Sequence, residues 1–128
     1  MSYYFSKIIN MGFDQAIIYV AEALQKEGFG ILTEIDIKAA MKKKLDVDFR
    51  NYRILGACSP MHAYKALTAE DKIGTMLPCN VIVQEIGIDT IEVSAVDPVA
   101  SMMAVENVML GDIAMEIQMK LRRVIDSL

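Results

Sequence analysis

Apolar residues in this chain recur in two rhythms, alternation and steps of three or four, and the switches between them mark its elements. Residues 2–9 carry Tyr3, Tyr4, Phe5, Ile8 and Ile9, which predict a first strand closed by a turn at Asn10-Met11-Gly12. From Phe13 to Lys26 the apolar positions Phe13, Ile17, Val20 and Leu24 step by four, three and four, with Ala16 and Ala23 widening the stripe. Glu22, Lys26 and Glu27 lie off it, so the spacing predicts an amphipathic helix, stopped by Gly28 as its C-terminal cap. Phe29 to Asp36 reads as a second strand with Ile31, Thr33 and Ile35 on one face. Asp36 then caps a short helix, Ile37 to Leu45, whose final lysines (Lys42, Lys43, Lys44) read as a solvated end complementing the helix dipole rather than as an anion site.

After a polar loop from Asp46 to Asn51 comes a third strand, Arg53 to Ala57. Pro60 opens a short helix over Met61 to Leu67, with Ser59 available as its N-cap. Thr68 to Leu77 is a connection, Asn80 to Ile86 a strongly β-prone fourth strand, and Gly87-Ile88-Asp89 a turn into a fifth, Thr90 to Val96. In that fifth strand Ile91, Val93 and Ala95 face one way and Thr90, Glu92 and Ser94 the other, a hairpin signal. Asp97-Pro98 ends it. The last helix runs from about Val105 to Leu128 on a stripe of Val105, Met109, Ile113, Ile117, Leu121, Val124 and Leu128.

The order β-α-β-α-β-α-β-β-α predicts an α+β fold: about five mostly antiparallel strands with two long helices packed on one face. The terminal hairpin and the alternating strands disfavour a doubly wound parallel sheet. No linker or repeat divides residues 1–128, which read as a single domain of a size that buries a core unaided.

Composition narrows the partners. A formal charge of −4 argues against a nucleic-acid binder, which would be expected to show a basic face, and offers no general attraction to an anionic membrane. No apolar run approaches the ~20 residues of a membrane span, and no signal peptide is visible. Two cysteines are too few for a secreted disulfide scaffold, so a cytoplasmic location with reduced thiols is expected.

Those two cysteines are the most pointed chemistry in the chain. Gly56-Ala57-Cys58-Ser59-Pro60 and Leu77-Pro78-Cys79-Asn80 each set a cysteine where an extended apolar run meets a Pro-marked turn. Cys58, Pro60, Pro78, Cys79 and Asn80 are therefore the candidate ligand-binding residues. With one histidine and no nucleophile-elbow sequence, no Ser-His-Asp set is nominated, and the glycines do not cluster into a phosphate loop. Met115 and Met119 sit four apart on a flank outside the last helix's stripe and read equally as core filling or as an adaptable interface or groove.

The cysteine segments, with Ala63, Ala66-Leu67, Ile73-Gly74 and the Val-Ile-Val strand that follows Asn80, resemble the family of bacterial and archaeal proteins called domain of unknown function 302. The similarity extends to Gly28-Phe29 and Asp36, and departs mildly at Ser59, where the family usually has Asn. It implies a fold like the TATA-binding-protein repeat, often assembled as a homodimer, and carries no established activity; a shared fold does not imply DNA binding.

The resemblance also implies that the third and fourth strands are antiparallel neighbours, which would bring Cys58 and Cys79 to one rim. His62, about one turn into the following helix, would complete a Cys58, His62 and Cys79 set of the kind zinc accepts. No cofactor is established by the residues, and zinc is the possible one. The leading expectation is a non-enzymatic homodimer binding a small molecule, metal ion or partner protein near Cys58 and Cys79. The alternative is a thiol-dependent redox enzyme or sensor using the same cysteines; two inert buried thiols are the plainest outcome.

Overall fold

The strands form one antiparallel sheet in the order β1-β5-β4-β3-β2, with β1 at Tyr4–Ile9, β2 at Gly30–Asp36, β3 at Tyr52–Cys58, β4 at Cys79–Gly87 and β5 at Thr90–Val96. The computed structural model describes residues 2–128. Helices α1 (Phe13–Lys26) and α5 (Val108–Ser127) cover one face, α2 (Ile37–Leu45) and α3 (Pro60–Ala69) follow β2 and β3, and α4 (Pro98–Ser101) is a single turn after β5. The α+β class read from the sequence is the one observed, with every strand pairing antiparallel.

Local chemistry explains the boundaries. At the end of α1 the Gly28 N–H donates to Gln25 O and the Phe29 N–H to Leu24 O, with Gly28 at φ 87°. That double bond pattern is the Schellman motif, which needs a left-handed residue and therefore glycine. Phe29, thus turned inward, is buried beside Leu24. Asp36 caps α2 by accepting from the Ala39 N–H at 2.9 Å. Between Ile31 and Thr33 the edge strand β2 bulges, so Ile31 lies opposite Ala57 while Thr33 and Ile35 lie opposite Gly56 and Ile54. The alternation from Ile31 to Ile35 therefore does not put all three on one face, because the extra residue reverses it.

The core lies between the helices and the sheet. Val20 and Leu24 of α1, Val81 and Val83 of β4, Ile91 and Val93 of β5 and Leu121 of α5 are all fully buried there. Each such side chain contributes about 1.5–3 kcal/mol relative to exposure. Among the described residues no helix buries a side chain against the opposite face of the sheet. Tyr4, Ile8, Ile35 and Ile86 are exposed on it. A polar chain crosses it: Arg50 donates to Gln84 at 2.9 Å, Gln84 to Glu92 at 3.1 Å, and Ser6 both to Glu92 at 3.1 Å and into a bond with Ser94 at 2.8 Å.

The structure corrects or sharpens several expectations. The last helix begins at Val108 rather than near Val105, because Asn107 caps it by accepting from the Met109 N–H at 3.0 Å. Met109 is accordingly 65% exposed, and Leu110 takes the buried position in a small second core with Ala66 and Ile73. Met115 and Met119 are exposed too, so they do not fill the core. The Thr68 to Leu77 connection contains a 3-10 helix, Asp71–Met76, that buries Ile73. Asp97 does more than break a strand: it is buried, caps α4 through Val99 N–H at 3.0 Å, and receives Gln118 Nε2 on both oxygens at 3.0 and 3.2 Å.

Candidate functional site

The β3–β4 register pairs Ala57 with Cys79 and Gly56 with Asn80. Cys58, one residue past Ala57, is the last residue of β3 and pairs with Gly30 of β2, at the rim where Cys79 begins the next strand. Both cysteines, with Pro78, Ser59 and His62, border one small cavity of about 30 Å³ whose remaining wall is apolar, including Phe29 and Ala114. That space admits a group of roughly one or two heavy atoms. Pro60 is exposed and does not border it. Asn80 points to the uncovered face, where it borders a shallow hollow of about 420 Å³ together with Tyr4, Arg50 and Tyr52. The hollow is larger and its lining is mixed polar and apolar, whereas the cavity is small and almost wholly apolar.

Close packing shapes the rim. A Cβ on Gly56 would fall on Thr33 Oγ1 and within 2.7 Å of Pro78 Cγ, so only glycine lets Thr33 and Pro78 meet there. Both thiols are free. Burial pushes the Cys58 thiol up from its ordinary value. Burial, and then the negative charge that Cys58 would carry, pushes Cys79 up to about 11. Thiols so placed favour their protonated forms.

Ser59 stands at the N-cap position of α3, yet its side chain makes no capping bond. Its Oγ instead lies 2.8 Å from His62 Nδ1, and His62 Nε2 lies 2.7 Å from Glu116 Oε2 on α5. The bond from His62 is the main reason the Glu116 carboxyl sits below its ordinary range; slight burial opposes it, and the charges of His62, Lys65 and Lys120 assist. Both imidazole nitrogens are thus engaged. Among the described residues no three or more His, Cys, Asp or Glu side chains are grouped to hold a metal ion.

Sequence reasoning missed Glu116 and the Ser59–His62 bond. The second was in reach, since positions three apart on a helix face each other. Glu116 was not, because 54 residues separate it from His62 and only the packing of α3 on α5 joins them.

A five-stranded antiparallel sheet with helices on one face and a cysteine-bordered cavity at its β3–β4 rim defines a small α+β protein of the class the cysteine segments suggested. The family model described as "Domain of unknown function DUF302" matches residues 5–128, and the chain belongs to that family. Its fold is also that of a crystal structure of an uncharacterized conserved DUF302 protein from Bacillus stearothermophilus. That chain is 24% identical with a TM-score of 0.88, and the match covers 98% of each chain. No curated protein matches the sequence.

No helix among the described residues is long and apolar enough to cross a membrane.

Proposed function

We propose that this chain is a cytoplasmic, homodimeric binding domain that takes a small, mainly apolar ligand group between β3, α3 and β4, with Cys58 and Cys79 forming the wall of the site. One observation carries this reading: both cysteines border a single apolar cavity, and burial disfavours the thiolate of each. The thiolate is the reacting and metal-binding form, so the same burial weighs against the redox alternative. Zinc at Cys58, His62 and Cys79 would need ionised thiols and the loss of a hydrogen bond from His62. Pairing with a second copy is supported by the uncovered face, where exposed Tyr4, Ile8, Ile35 and Ile86 surround a polar chain with Arg50 at one end and Glu92 within it. A two-fold axis through that face would set each copy's cation near its partner's anion.

Native-state alkylation tests the site. At about pH 8 an alkylating probe should leave Cys79 unmodified and react with Cys58 more slowly than with a free thiol. Because the folded Cys79 pKa is raised, its contribution to stability is complete below the ordinary value of 9.0 and disappears as pH climbs through about 11. Unfolding free energy should therefore fall across that window, and the Cys79→Ala variant should show a flatter fall. Rapid labelling of either thiol near neutral pH, or about one tightly held zinc per chain that Cys58→Ser abolishes, would overturn the reading.

A further inference from the structure

The geometry points to an acyl-transfer site at the cavity mouth, in which Ser59 is the nucleophile, His62 its general base and Glu116 the residue that positions His62, acting on esters of a very short acyl group. This deepens the binding proposal and rests on it, since the same cavity holds the acyl group.

The hydrogen-bond chain has a direction. An ionised Glu116 can only accept, so the 2.7 Å bond requires the proton on His62 Nε2. In the neutral ring that leaves the Nδ1 lone pair facing Ser59 Oγ at 2.8 Å, and Ser59 must donate. This is the arrangement a general base needs toward a hydroxyl. The ring nitrogens are exchanged relative to the familiar serine triad, but the roles, not the labels, define the constellation.

Two further features fit. Ser59 does not cap α3, so the first-turn N–H groups of Met61 and His62 receive no bond from it. Pro60 has no N–H to offer. At the start of a ten-residue helix these free donors are placed to meet an oxyanion that forms beside Ser59. The cavity bordered by Ser59 and His62 is about 30 Å³ and apolar, the size of an acetyl methyl rather than a long chain. Cys58 is the competing nucleophile, but no hydrogen bond links it to His62 and burial keeps its proton on.

The chemistry balances with water as the only co-reactant. Ser59 Oγ forms a bond to the ester carbonyl carbon while its proton passes to His62 Nδ1. The carbon–oxygen bond to the alcohol then breaks, and the leaving oxygen takes that proton. Water attacks the acyl-serine in the same way, releasing acetic acid and restoring Ser59.

The test uses p-nitrophenyl acetate with the full chain and maps the acetyl group by peptide mass spectrometry. Acetylation of Ser59 is expected, with turnover lowered about 100-fold or more in Ser59→Asn and in His62→Gln. Asparagine is a good N-cap, so the first variant keeps α3, which circular dichroism checks. Glu116→Gln should lower kcat with KM unchanged, a split that mere loosening of α3 would not give. Acetyl found only on Cys58 or lysines, or a folded Ser59→Asn that turns over at the native rate, would overturn the assignment. Titration with N-methylacetamide, read at the Ala57 and Ala114 methyl resonances, separates the two ideas. Shifts without acetylation would remove catalysis and leave binding, whereas neither shifts nor acetylation would remove both.

Discussion

Along β4, Val81 and Val83 are sealed beneath the helices while Ile82 and Gln84, from the same strand, look out on a face against which no helix among the described residues buries a side chain. The same division runs through β5, where Ile91 and Val93 are buried and Glu92 joins the polar chain of the other side. On the covered face, stability comes from close apolar packing, and little there is free to recognise anything. The uncovered face keeps aromatic, aliphatic and charged groups together in a shallow hollow, a composition suited to an interface. The cavity near Cys58 and Cys79 lies at one end of the covered face, at the rim where β3 ends and β4 begins. Its wall is core material, and its mouth is the Ser59–His62–Glu116 chain. That placement explains how one small site can be apolar inside and hydrogen-bonded at the edge.

The covered face should give the largest response to mutation. Leu121 is wholly buried between α5 and the sheet, and Leu121→Ala leaves a cavity that its rigid neighbours cannot fill. A loss of about 2–5 kcal/mol is expected, read from the urea midpoint of unfolding. A loss below about 1 kcal/mol would mean that α5 is not anchored there, and the contrast between the faces would fail.

The rim should respond next. In Gly56→Ala the new methyl meets Thr33 Oγ1 and Pro78 Cγ, and overpacking of this kind costs about 1–3 kcal/mol. The companion Thr33→Ser/Gly56→Ala removes only a methyl from the other side, so it should recover little if the hydroxyl is the obstacle. Thr33→Ala/Gly56→Ala should recover more. Equal stability of the two double variants would show that Pro78, not Thr33, sets the limit.

How far the sequence reached follows the same division. Elements built on local rules were legible: the stripe of α1, Gly28 at its end, Asp36 capping α2, and the alternation of β5 all act within a few residues. The bulge at Ile31/Thr33 was hidden, because an extra residue in an edge strand leaves the composition unchanged while reversing which side chains face in. The start of α5 was misplaced for a related reason. Val105 and Met109 have helical spacing, yet Asn107 supplies a cap between them and also donates to Ala69 O at 2.9 Å, a tertiary bond no periodicity reveals. At the site, Cys58, Pro78, Cys79 and His62 were all nominated and all border the cavity, whereas Pro60 and Asn80 were nominated and do not. Proximity in sequence served as a proxy for direction, and alternation along β4 sends Asn80 to the face opposite Cys79.

The smallest expected change in chain stability is the sharpest test of the uncovered face. Ile82 lies near its middle, half-exposed and bordering the hollow with Tyr52 and Asn80. Ile82→Glu exchanges one strand residue for another on a solvent-facing position, and strand propensities span only about 1 kcal/mol, so the unfolding free energy of the separate chain should move by no more than that. A dimer that pairs through this face would have to bury two new carboxylates in it, in a hollow whose border already includes Glu92. Light scattering should then report the 14.3 kDa chain for the variant and twice that mass for the native protein. If both proteins have the same mass, the second copy does not sit on this face. In that event the exposed methionines of α5, Met115 and Met119, become the apolar surface to mutate, because they lie on the opposite side of the molecule and are untouched by the change at Ile82.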